Sequence, residues 1–240
     1  MTSTTEPVLT LLDPLQVEFP DTSRALADPD GLLAVGGDLT PEWLLAAYRR
    51  GIFPWFSDDQ PVLWWSPDPR CVVIPTELPV SRSLRKRIRR GTYSVTCDRA
   101  FEAVIDACAA PRADGPGTWI TDEMREAYIT MHALGFAHSV EVWQDDVLVG
   151  GLYGLAIGRV FFGESMFHRA TDASKVAFVH LVRQLADWGC ELVDCQVSNP
   201  HLLSLGAIEI SRSEFERRLA AGVEMPALDN PWPEVLEYSV

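Results

Sequence analysis

After residue 90 the apolar positions fall into a succession of short alternating runs and helical stripes. Residues 93–96 alternate and read as a strand. Apolar side chains at 101, 104, 105 and 108 follow the i, i+3, i+4, i+7 spacing of an amphipathic helix over 100–110. A polar loop over 111–117 leads to Thr121, which caps a helix over 122–134 with acids in its first turn, where the helix dipole favours them. Residues 139–143, 147–153 and 159–167 then read as three strands, the last two joined by a Gly-bearing turn. A helix over 173–189, apolar at 176, 178, 179, 181, 182, 185 and 186, buries itself widely. It leads into a strand at 191–197, another at 208–210 and a short helix at 213–221.

The pattern is weaker before residue 70. Residues 1–20 read as extended. Thr40, Pro41 and Glu42 start a helix that Gly51 stops after Arg50. Residues 52–70 hold three tryptophans, two phenylalanines and four prolines, which predicts a rigid aromatic loop without regular structure. Composition changes after Arg70, so the chain divides into a small N-terminal domain (1–70) and a larger one (71–240). The second begins with a buried strand at 71–75, followed by a basic helix over 82–90 that Ser81 caps and Gly91 closes.

A helix joining two strands of one sheet is a right-handed crossover by default, so strands 159–167 and 191–197 should lie parallel. An antiparallel meander followed by β-α-β resembles the GCN5-related acyltransferase fold, and the fold class is α+β. In that fold the two parallel strands splay. Each carries a polar residue that is costly to bury without a partner or a role: Glu164 in GESMF, Asp194 and Gln196 in ELVDCQV. Simple alternation sets Glu164 with Met166 and Asp194 with Gln196, both pairs facing one cleft, and turns Cys195 to the other side. Coenzyme A-dependent members cradle a pyrophosphate in a glycine-bearing loop before the crossover helix. Here that stretch is FHRATDASKVAF, without glycine, so the backbone nest is missing.

Charge and cysteines narrow the partners. The net charge of −14 argues against a non-specific nucleic-acid coat, yet Arg82, Arg85, Lys86, Arg87, Arg89 and Arg90 cluster in one helix. Cysteines at 71, 97, 108, 190 and 195 have no CxxC spacing and read as small buried apolar side chains. The five histidines have no ligand spacing, so no metal site is expected. The first residues lack the basic flank of a secretory signal, and the longest uncharged apolar run, 147–158, is too short to span a bilayer. A soluble, cytoplasmic protein is the expectation.

Across residues 19–218, about four-fifths of the chain, the segments GLLAVGGDL, LLAAYRRGIFPWF, WWSPDPR, GTWIT, SVEVW, VGGLYG, FFGESMF, ASK, DCQV and SLGA stand in order. On them the chain closely resembles the leucyl/phenylalanyl-tRNA–protein transferases. The resemblance implies transfer of Leu or Phe, and less readily Met, from aminoacyl-tRNA to proteins with an N-terminal Arg or Lys. That addition marks them for degradation in the N-degron pathway. It implies Asp194 and Gln196 as the catalytic pair. Asp194 can hydrogen-bond the attacking ammonium, lead it in and accept or relay its proton, and Gln196 can orient the amine or donate to the oxyanion, with positioning favoured over a strong base. Glu164 is then left to bind either the donor's α-amino group or the acceptor's cationic side chain. Leu152, Phe161, Phe162, Ser165 and Met166 are candidates for the aminoacyl pocket, Trp55 and Trp119 for the donor's 3′-terminal adenosine, and the basic helix for acceptor-stem phosphates. No cofactor is expected, and the enzyme should act as a monomer. The rival reading is a coenzyme A-dependent N-acetyltransferase of the same fold.

Overall fold

Short strands here end where glycine, proline or a polar turn removes the next ladder partner. The protein's structure is a computed structural model that describes residues 9–111, 119–226 and 232–236. The first part of the chain forms β1 (Thr10–Leu12), β2 (Leu32–Gly36), α1 (Pro41–Tyr48), β3 (Phe53–Pro54) and β4 (Leu63–Trp65). These strands make one sheet in the order β1-β2-β4-β3, with β1 parallel to β2 and the other pairs antiparallel. Regular structure in 52–70 corrects the loop expected there. The prolines sit at strand ends or in turns: Pro54 closes the edge strand β3, while Pro61 and Pro67 flank β4, so no inner ladder position loses its donor. Trp43, Trp64 and Phe19 pack ring against ring behind this sheet.

The larger sheet takes β5 (Arg70–Val73), β6 (Ser94–Cys97), β7 (Ala137–Gln144), β8 (Val147–Ile157), β9 (Val160–His168), β10 (Leu192–Gln196) and β11 (Ile208–Ile210). Its order is β11-β5-β10-β9-β8-β7-β6, and only β9 and β10 are parallel. The connecting helices are α2 (Arg82–Arg89), α3 (Phe101–Ala109), α4 (Asp122–Ala133), α5 (Ala173–Asp187), α6 (Pro200–Ser204) and α7 (Arg212–Val223). The meander β6–β9 followed by β9-α5-β10 is the GCN5-related acyltransferase topology, so the chain is α+β with a small N-terminal sheet joined to that fold. Arg70 belongs to β5 and not to the end of the smaller sheet.

Two apolar cores lie on opposite faces of the large sheet. One joins α1, α3, α4 and the N-terminal sheet to residues such as Tyr153 and Phe162. The other joins α5 to residues such as Leu152, Phe161 and Val193. No described helix is long and apolar enough to cross a membrane. All five cysteines are buried and unbridged. Most of the 111–117 loop and parts of both chain ends lie outside the described residues.

Candidate active site

β9 and β10 pair only over Val160–Phe162 and Leu192–Asp194, then separate. At the point of separation each strand carries one extra residue relative to its other neighbour. On β9, Gly163 and Ser165 face consecutive residues of β8, Gly154 and Tyr153, leaving Glu164 between them. On β10, Asp194 and Gln196 face consecutive residues of β5, Val72 and Cys71, leaving Cys195 between them. Such a slip bends a strand and re-aims its side chains. Gly154 accommodates the first one, because a Cβ there would run into the Phe162 carbonyl and the Phe161 ring. Gln196 accommodates the second with a φ of 63°.

The slips overturn the facing expected from alternation. Glu164 turns toward α1 and α4, whereas Met166 pairs with Leu152 against the α5 core. Asp194 does not face the opening. It is fully buried, and both its oxygens are held by Arg70: Nε donates to Oδ1 at 2.8 Å and Nη2 to Oδ2 at 2.6 Å. Arg70 is buried too. Its Nη1 donates to the Gly51 carbonyl at 2.9 Å, and its guanidinium lies 4.4 Å from the Phe215 ring centre and 4.8 Å from that of Phe53. Asp194 Oδ1 also accepts the Gln196 backbone N–H at 2.9 Å, which fixes the left-handed turn. With these donors in place the carboxylate anchors the Gln196 turn from behind the sheet opening. Of this pair, Gln196 is the one that lines the opening.

Glu164 is the centre of a second network. Its Oε1 accepts from Tyr48 Oη at 2.7 Å and Gln196 Nε2 at 3.0 Å, and its Oε2 from Tyr128 Oη at 2.9 Å. The two tyrosine hydroxyls also touch each other. Three oxygen–oxygen contacts in a triangle need three hydrogens, and the phenols supply two. A protonated Glu164 supplies the third. Burial agrees, since it pushes the Glu164 carboxyl up to about 7. Burial, and then the Glu164 carboxylate, raise Tyr48 and Tyr128 well above the usual phenol value, so both stay protonated.

Around the separation of the strands lies a cavity of about 1090 Å³ that reaches both faces of the sheet. On the α5 face it is apolar, lined by Leu152, Phe161, Met166, Phe178, Leu181 and Val193. On the other face stand Glu164, Tyr153, Ser165, Trp55 and Trp119. Of the residues singled out from sequence, Phe162 lies elsewhere. It faces the opposite core and packs edge-on against Tyr48, 5.1 Å between centres, because it sits one residue from Phe161 on a regular stretch of strand. Cys195 lines the apolar side. Its hydrogen bond with Cys71, and then burial, hold the thiol well above 9, so it is not a nucleophile. Sequence reading missed Arg70, Tyr48 and Tyr128: Arg70 stands at the head of the apolar run CVVI, and each tyrosine reads as a core side chain of its helix.

The basic helix α2 buries only Leu84. Arg82, Arg85, Lys86, Arg89 and Arg90 are exposed or half-buried, and Arg87 donates to Asp172 at 2.8 Å. Asp172 is the N-cap of α5, so this pair ties the basic helix to the segment that runs from the cavity rim at His168 and Arg169.

Two family models match this chain: that of the leucyl/phenylalanyl-tRNA protein transferases over residues 72–220, and that of their N-terminal domain over 37–68. The chain belongs to the leucyl/phenylalanyl-tRNA–protein transferase family. A leucyl/phenylalanyl-tRNA–protein transferase from Cellvibrio japonicus is 58% identical over 226 residues, covering 93% of this chain and 96% of that protein. One from Aromatoleum aromaticum is 61% identical over 203 residues, 85% and 86% of the two chains. Like other members of the leucyl/phenylalanyl-tRNA–protein transferase family, this chain is an aminoacyltransferase. A solved GCN5-related N-acetyltransferase from Kribbella flavida covers 71% of this chain and 61% of its own at 15% identity, with a TM-score of 0.38. At that score the fold rests on the strand order.

Proposed function

We propose that this enzyme moves Leu or Phe, and less readily Met, from aminoacyl-tRNA to the α-amino group of proteins beginning with Arg or Lys. The observation that carries this is the cavity at the separation of β9 and β10, apolar on one face of the sheet and built around Glu164 on the other. The apolar side suits a leucyl or phenylalanyl side chain. Such a pocket discriminates by only about 1–3 kcal/mol per methylene, so Met enters as well. The Glu164 side suits a cation. Trp55, 44% exposed, and Trp119 at the mouth suit the donor's terminal adenosine. The tagged proteins then enter the N-degron pathway. On this reading the enzyme works in the cytoplasm, as a monomer.

Aminolysis of an ester is downhill and needs no covalent intermediate. With a pKa of about 7.7–8.0, roughly a tenth to a fifth of an α-amine is already neutral at pH 7. Placing that amine about 3–3.5 Å from the carbonyl can contribute about 7–11 kcal/mol. Gln196 is the group poised to do so. Asp194 holds its backbone N–H from behind and Glu164 takes its side-chain Nε2, so the amide can orient the amine or donate to the oxyanion as it forms. The coenzyme A alternative is disfavoured by charge. The N-terminus of α5, where a pyrophosphate would lie, carries the Asp172 carboxylate, already engaged with Arg87 and with Lys175 at 3.2 Å.

Incubation with leucyl-tRNA and an Arg-starting peptide should yield a peptide with an added N-terminal leucine; no leucine in the product overturns the reading. The acceptor-stem clamp has its own test. Arg85→Glu with Arg90→Glu should weaken tRNA binding and lower the slope of log affinity against log salt by about 2. An unchanged slope would place the tRNA elsewhere.

A further inference from the structure

Tyr153 on β8 is fully buried and lines the cavity, and its hydroxyl has no hydrogen-bond partner among the described residues. Its ring cannot swing away. It stands edge-on to Phe101, 5.9 Å between centres, and to Tyr128 at 5.5 Å. Its cross-strand neighbour is Ser165, immediately after the slip that turns Glu164. Burial, and then the Glu164 carboxylate, keep this phenol neutral, with lone pairs free to accept. A buried hydroxyl left alone carries its full desolvation penalty, and in a cavity wall this marks a place where a ligand completes the bond.

Glu164 offers the matching vacancy. Its Oε1 already takes two donors, whereas its Oε2 takes only Tyr128. A carboxylate oxygen holds two. The occupant that fits both openings carries several N–H donors and a positive charge. We propose that Tyr153 Oη and Glu164 Oε2 together hold an ammonium or guanidinium group of a substrate. This rests on the aminoacyl-transfer reading, which supplies two such groups: the donor's α-ammonium and the acceptor's N-terminal basic side chain. The hydroxyl adds a second point of attachment without adding charge, so Glu164, which gives up its proton to solvent as the cation arrives, is the one counter-ion.

The test is Tyr153→Phe, which keeps the ring and removes the hydroxyl. The free variant should melt at or above the wild-type temperature, because the lost group has no partner in the empty protein. Its kcat/KM for an Arg-starting peptide and leucyl-tRNA should fall about tenfold, the scale of one hydrogen bond to a charged group. If that loss vanishes with an N-terminal citrulline peptide, the acceptor supplies the cation; if it vanishes with N-acetyl-leucyl-tRNA, the donor does. Equal kcat/KM in the two proteins, or a loss that persists with both uncharged substrates, overturns the assignment, as does a lowered melting temperature. Wild-type protein that transfers nothing would fail the transfer reading alone. Calorimetric titration with arginine amide then still decides: binding about tenfold weaker in Tyr153→Phe supports the receptor, and equal or absent binding overturns it.

Discussion

Arg70→Met will lose about 3–5 kcal/mol of stability, the loss expected when one partner of a buried ion pair is removed. The reason is the state left behind. Asp194 would stay fully buried with both oxygens stripped of their charged donors, keeping only the Gln196 N–H on Oδ1. Denaturant unfolding measures the loss. Removing both charges together, in Arg70→Met with Asp194→Leu, should recover a large part of it, because replacing a whole buried pair by apolar side chains is often neutral. If the double variant is no more stable than Arg70→Met, the penalty comes from lost packing on Phe53 and Phe215 and not from the orphaned charge. Activity should fall in both variants, since neither retains the ion pair that pins the turn at Gln196.

Glu164→Gln should remove a pH dependence from folding. The wild-type carboxyl moves from its ordinary 4.5 up to about 7 on folding. Between those values the unfolded chain has released its proton while the folded chain retains it. Stability therefore falls as pH rises through this window and levels off above about 7, by about 3 kcal/mol in all from this side chain. The substituted amide offers a permanent N–H in place of the titrating proton, so the triangle with Tyr48 and Tyr128 keeps its third hydrogen. Melting curves from about pH 5 to 8 should show the variant gaining on wild type, with each kcal/mol worth about 2–4 °C at this chain length. Parallel curves across that range would mean that Glu164 enters the fold as a carboxylate.

The crossover and its neighbours were legible in the sequence because they depend on features that survive without contacts. Alternation marks β7, β8 and β9, helical spacing marks α3 and α5, and handedness then makes β9 and β10 parallel. The motifs GES and DCQ mark where the opening lies. Their facing was not legible. A slip of one residue leaves no trace in a hydrophobicity pattern, yet it separates Glu164 from Met166 and turns Asp194 away from the opening. Nor could Arg70 be matched to Asp194, which lies 124 positions later. Tyr48 and Tyr128 sit on helix faces where a tyrosine reads as core, which they also are. The N-terminal strands are two to five residues long, too short for a period to emerge among prolines.

Because the cavity crosses the sheet, the backbone of β9 stands as a partition between its two chambers. On the proposed reading one chamber sizes the donor's side chain and the other holds a substrate cation beside a buried acid. Changes more than about 7–10 Å apart across that wall should combine additively. Where the acceptor supplies that cation, donor choice and acceptor choice are modular, and either could be rebuilt by evolution or design while the other is left standing.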